Sequence, residues 1–113
     1  MIKKLSHGLD GIKSALKTEP TLSMQLVTGT LATLFIWFFT KEWWLIKQTI
    51  FLTIGVMIAE LINTSFEYLC DLVEPNKNKK VKRIKDVMAG VVLIMAVGAI
   101  LITIIDVVGF KKS

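Results

Sequence analysis

Glu60, Asn63 and Glu67 stand at i, i+3 and i+7 inside an otherwise apolar run. In a helix that spacing puts all three on one face, and Asp71 at i+11 continues the stripe. An ionised carboxylate in hydrocarbon costs roughly 3 kcal/mol or more, so two acids in one run must face protein, water, a cation or another charge. A polar seam that pairs helices would use the same pattern, but acids within a membrane run point first to a site. Glu19 lies just ahead of a first apolar run, and Lys85-Asp86 just ahead of a third. If those ends meet on one side, Glu19, Glu67 and Asp71 offer hard oxygen ligands to a divalent cation, and Lys85 offers an ammonium to a phosphate. Glu60 would lie about 10 Å deeper at standard helical rise. Such a set suits chemistry between a water-borne phosphate donor and a molecule dissolved in the bilayer. Taken alone, Lys85-Asp86 is also an ordinary helix start, with Asp near the positive end of the dipole.

Three runs have to position these groups. Pro20 to Thr40 contains 21 residues without Lys, Arg, Asp or Glu. As a helix it covers about 31 Å, the thickness of a hydrocarbon core. It is too long for a signal peptide, and no small-residue cleavage pattern follows Thr40, so it is expected to stay. Thr49 to Leu69 is equally apolar except for Glu60 and Glu67, and Val87 to Ile105 is uncharged over 19 residues. Ahead of them Ile2, Leu5, Leu9, Ile12 and Leu16 recur at steps of three and four, with Lys3, Lys4, Asp10, Lys13 and Lys17 between. That is an amphipathic helix for the membrane surface, whether anchor or part of a site. The expected architecture is all-α within a single domain, 1–113: a surface helix at 1–18 and spans at 20–40, 49–71 and 86–108.

The connection Lys41 to Gln48 is short and carries Trp43 and Trp44, as at a lipid and water boundary. The other, Glu74 to Lys85, opens on the turn signal Glu74-Pro75-Asn76 and then turns basic. With the N-terminal lysines, that side holds ten basic residues against Lys41, Lys47, Lys111 and Lys112 on the other. The positive-inside rule puts the N-terminus and the Lys-rich connection in the cytoplasm.

Composition agrees. The chain has 113 residues, is 53% hydrophobic and has a mean hydropathy of +0.61, too apolar for a small soluble fold. Its net charge of +5 lies outside the apolar runs, which argues against a nucleic-acid groove and for anionic headgroups or a phosphorylated ligand. A lone Cys70 and a lone His7 exclude an intrachain disulfide and the usual zinc spacings. Neither a Walker loop nor G-x-G-x-x-G occurs, so a soluble nucleotide-binding fold is excluded. Gly90, Gly98, Ala89 and Ala96 are expected to be close-packing positions between helices. From the residues alone a non-catalytic three-span protein, an ion-conducting or scaffold subunit with helix-pairing glutamates, stays open. A pore would not require Lys85-Asp86 at its offset from Glu67.

The segment Glu60-Leu61-Ile62-Asn63-Thr64-Ser65-Phe66-Glu67, then Asp71, then Lys85-Asp86, resembles the signature of the small bacterial integral-membrane lipid kinases, the prokaryotic diacylglycerol kinases and undecaprenol kinases. Gly11-Ile12-Lys13-Ser14-Ala15-Leu16-Lys17-Thr18-Glu19 is similar to the family's surface helix, and the likeness covers nearly the whole chain. It implies a homotrimer in the bacterial cytoplasmic membrane that moves a phosphoryl group from ATP to a lipid alcohol with Mg²⁺. By the same resemblance Glu19 and Glu67 hold the metal, and Asn63 and Asp71 support the nucleotide. Lys85 and Asp86 bind its phosphates and remainder, and Glu60 is the general base at the lipid hydroxyl. Ser65-Phe66 and the stretch from Pro20 to Gln25 depart from the family's pattern, the latter where headgroup contacts are expected. His7 falls where some relatives carry a tyrosine. Ala89-Gly90, Asn63-Thr64 and Gly11-Ile12-Lys13 resemble the undecaprenol-type members more than the diacylglycerol type.

Overall fold

The computed structural model describes residues 1–112. It is all helical: α1 Ile2–Thr18, α2 Pro20–Thr40, α3 Trp43–Val73 and α4 Lys79–Lys112. The last three are each long and apolar enough to cross a membrane. At 1.5 Å per residue α3 and α4 run to about 46 and 51 Å, well beyond a hydrocarbon core of about 30 Å. Both overrun their apolar spans. The helical hydrogen-bond ladder does not stop where lipid does, so Trp43 to Gln48 and Lys79 to Lys85 are helical, not connecting segments.

Each boundary has a local cause. Glu19 is extended, with φ −113° and ψ 98°, as the residue before a proline must be, and Pro20 opens α2 at the position where its missing N–H costs nothing. Ser23 Oγ then donates to the Leu16 carbonyl at 2.8 Å and ties α2 back to α1. At the far end Lys41 takes a left-handed conformation, φ 53°, and its N–H caps the Trp37 carbonyl. That reversal leaves only Lys41 and Glu42 between α2 and α3. Asn78 Oδ1 accepts from the Lys80 N–H at 2.8 Å and the Val81 N–H at 3.3 Å, which caps the start of α4.

The long α3 packs along both α2 and α4, which meet each other only briefly, and α1 touches α2. Gly29 is the tightest point. A β-carbon there would collide with the Thr53 side chain, so only glycine lets α2 and α3 approach this closely. Ile36, Leu45 and Ile46 form the buried cluster at the Lys41 end, with Val107 and Phe110 of α4 against it. Threonines that face lipid or protein within the spans donate to carbonyls one turn back, as Thr30, Thr33 and Thr40 do to Leu26, Gly29 and Ile36. Their hydroxyls are thereby satisfied without water. The apolar stripe of α1, from Ile2 to Ile12, and most of α4 stay uncovered by the protomer. Gly90 and Gly98 meet nothing within 4 Å of where a β-carbon would stand. Within one protomer they are therefore not the close-packing positions the sequence suggests.

Candidate functional site

The stripe on α3 forms as the spacing requires. Glu60 and Asn63 are 7% and 6% exposed, and Glu67 one turn on is half-buried. These are low values in a protomer whose largest fully buried side chains are Leu22 and Ile36 alone. Asn63 Nδ2 donates to Glu67 Oε1 at 3.0 Å, an i, i+4 bond along the face. Gln25, from α2, donates through Nε2 to Glu60 Oε2 at 3.4 Å. The α2–α3 contact therefore buries a carboxylate and supplies it with one donor, in keeping with the rule that buried polar groups find partners.

Glu19 sits at the corner between α1 and α2, half-buried, and Tyr68 of α3 donates its hydroxyl to Glu19 Oε1 at 3.3 Å. That bond sets the corner before span one against the end of α3. Lys85 is brought in from α4 by an ion pair with Asp71 Oδ1 at 2.5 Å, and it also feels the charge of Glu67. The hydrogen bond to Asp71 favours the charged form of Lys85. Asp86 does not join this group. It pairs with Lys82 at 2.8 Å, an exposed i, i+4 contact along α4 itself.

No three of the acidic, histidine or cysteine side chains form a metal cage among the described residues. Instead Glu19, Glu67 and Asp71 are each held by a separate neighbour, Tyr68, Asn63 and Lys85. A magnesium ion needs no such cage, because it keeps several waters and binds through one or two carboxylates plus the phosphates of its nucleotide. Asn63 Oδ1 adds a further hard oxygen: it is buried and has no hydrogen-bond partner. Glu67 and Asn63 Oδ1, one helical turn apart, are thus hard oxygens of the kind Mg²⁺ takes. His7 lies exposed in α1, among exposed neighbours.

Two residues escape a reading of acids and lysines. Tyr68 follows Glu67 directly but shares no helical face with it, so nothing in its spacing announces the bond to Glu19. Gln25 carried a usable signal: an amide in a membrane span needs a partner as an acid does, and only the α2–α3 pairing reveals that the partner is Glu60.

A family model described as prokaryotic diacylglycerol kinase matches residues 6–106, from within α1 to near the end of α4. No curated protein matches the chain.

Proposed function

From the premise that the chain belongs to the prokaryotic diacylglycerol kinase family, a family of multi-pass kinases of the inner membrane, we propose that it phosphorylates a membrane lipid alcohol with MgATP. Reaction takes place at the cytoplasmic boundary, on the side of the Lys-rich turn. One observation carries the proposal: buried Glu60 shares a helix face with Asn63 and Glu67, and the same end of α3 binds Glu19 through Tyr68 and Lys85 through Asp71. Helix pairing alone explains Glu60 with Gln25, but not the convergence of Glu19 and Lys85 on the same end of α3.

Glu60 acts as the general base. It accepts the proton of the lipid hydroxyl as the lipid oxygen forms its bond to the γ-phosphorus. The bond from that phosphorus to the bridging oxygen breaks, and ADP leaves with the electron pair. No side chain is phosphorylated. Phosphoryl transfer of this kind needs positioning and charge neutralisation more than covalent help. Glu19 and Glu67, with Asn63, would hold Mg²⁺, which would neutralise charge on the phosphates. Lys85 gives its ammonium to a phosphate in exchange for Asp71, and Asp71 supports the rest of the nucleotide. Three protomers associate through the uncovered faces of α4 into a homotrimer. Undecaprenol is the favoured acceptor, with diacylglycerol the other.

Purified protein in bicelles, given radiolabelled ATP and Mg²⁺, is expected to move label to a lipid alcohol, with undecaprenol and diacylglycerol compared side by side. Absence of magnesium-dependent transfer to either would sink the proposal.

A further inference from the structure

The start of α4 sets two kinds of cation on two faces. Lys82 and Lys85 are paired with Asp86 and Asp71. Lys79, Lys80 and Arg83 are exposed, and no ion pair holds them among the described residues. At about 3.6 residues per turn these three lie on the side of the helix opposite Lys85. Stepping along that side from Arg83 by fours and sevens leads to Val87, Ile94, Leu101 and Ile105, which are 61%, 76%, 53% and 67% exposed. One face thus joins three unanswered cations to an apolar strip that runs the length of the span. The cations are also badly placed for the helix itself. Its first turn carries no acid, and positive charge at the positive end of the helix dipole costs stability. The backbone offers an anion little there, because the Lys80 and Val81 amides donate to Asn78 Oδ1 and the Lys82 amide to the Asn78 carbonyl. An anion that offsets this charge must therefore meet the side chains.

We propose that this outward face of α4 is a site for one anionic phospholipid of the leaflet on the side of the Lys-rich turn. Its phosphodiester lies between Arg83, Lys80 and Lys79, and an acyl chain runs down the helix over Val87 and Ile94. The levels match. Arg83 stands about 6 Å above Val87, where the uncharged run begins, and Lys79 about 12 Å. The headgroup layer is about 5–8 Å deep on each side, so Arg83 stands within it and the two lysines close over its outer edge. The guanidinium fork matches two phosphate oxygens. A zwitterionic lipid would bring its own ammonium against Lys79 and Lys80, and a free phosphate would leave the apolar strip unused. Copies of the chain keep the flank about a quarter-turn away, where Leu93, Val97 and Ile104 are exposed. The bound lipid fixes the height of α4 in the bilayer, and with it the height of Lys85, two residues on from Arg83.

The test is native mass spectrometry of the full-length protein in detergent, titrated with phosphatidylglycerol or phosphatidylcholine, and it needs no turnover. Each cation near an anionic headgroup is worth about fivefold in binding, so Lys79→Gln/Lys80→Gln/Arg83→Gln is expected to lose about a hundredfold in affinity for the first phosphatidylglycerol. Its affinity for phosphatidylcholine should not change. A loss below about fivefold overturns the proposal. Lys3→Gln/Lys4→Gln/Lys13→Gln removes the same charge from α1 and should lose less than fivefold; an equal loss would assign the attraction to overall charge and overturn the site. Inorganic phosphate at millimolar concentration should not displace the lipid, and displacement would make the site one for a free anion. Should the triple variant fail to fold, Arg83→Gln alone, with an expected loss of about fivefold, decides. A second copy is tested as the occupant with Ile94→Cys on a Cys70→Ala background in vesicles containing phosphatidylglycerol. It should resist oxidative cross-linking, and complete conversion to a disulfide-linked dimer would give the face to another protomer.

Discussion

Helices α3 and α4 divide the labour unequally. The more apolar of the two, α4, contributes no buried residue, whereas α3 carries eight, among them Glu60, Asn63 and two threonines. In water the ranking would be reversed, because apolar area drives burial. In a bilayer the lipid tails are as apolar as leucine, so hydropathy does not pull α4 inward, and what must be shielded is the polar residue. The polar stripe thus makes α3 the central helix, while α4 keeps its apolar surface for lipid or for further copies of the chain. The contrast also shows in the glycines. Gly29 is required by the Thr53 side chain on α3, while Gly90 and Gly98 on α4 touch nothing in the protomer.

The sharpest test of α3's role is Glu60→Gln, which removes the base but keeps the shape. Turnover is expected to fall by about 10²- to 10⁴-fold, with nucleotide binding retained in a titration with a fluorescent ATP analogue. Full activity would return Glu60 to the status of a helix-pairing group. Next in size is Gly29→Val, which drives a branched side chain into Thr53. A loss of about 1–3 kcal/mol is expected in unfolding from mixed micelles. Gly98→Ala on α4 is its counterpart and should stay within about 0.5 kcal/mol in the monomeric state. A larger cost that appears only with assembly would place Gly98 at a contact between copies. Lys85→Met removes the ammonium near Glu67 and Asp71 and should raise KM for MgATP about tenfold, as expected for one charge-assisted contact. The smallest effect belongs to Lys82→Gln. Its pair with Asp86 is fully exposed, and neither stability nor KM for MgATP should change measurably.

Much of this could be read along the chain because it depends on length and period. The uncharged run of Pro20 to Thr40 is long enough for a span, and an amide and an acid three and seven residues past Glu60 share its helical face. Gly11 to Glu19 and the Glu60 to Glu67 segment also carried the family resemblance. Other features were hidden because they depend on helix ends and partners. That α4 begins at Lys79 follows from the Asn78 cap, which competes with the turn signal at Pro75. That Asp86 turns to Lys82 rather than to the site follows from an i, i+4 neighbour equally visible in the sequence but not ranked by it. The roles of Tyr68 and Gln25 appear only when α2 and the corner at Glu19 lie against α3.

By itself, then, the order of residues determined that this protein crosses a membrane in three helices and carries Glu60, Asn63 and Glu67 on one face of the second. Hydropathy over some twenty residues and a 3.6-residue period are properties of the chain alone. Tertiary structure decided which groups answer those acids: Gln25 for Glu60, Tyr68 for Glu19, Lys85 for Asp71. Those pairings join residues 14 to 49 positions apart, and only the close approach of α2 and α4 to α3 brings them within hydrogen-bond distance.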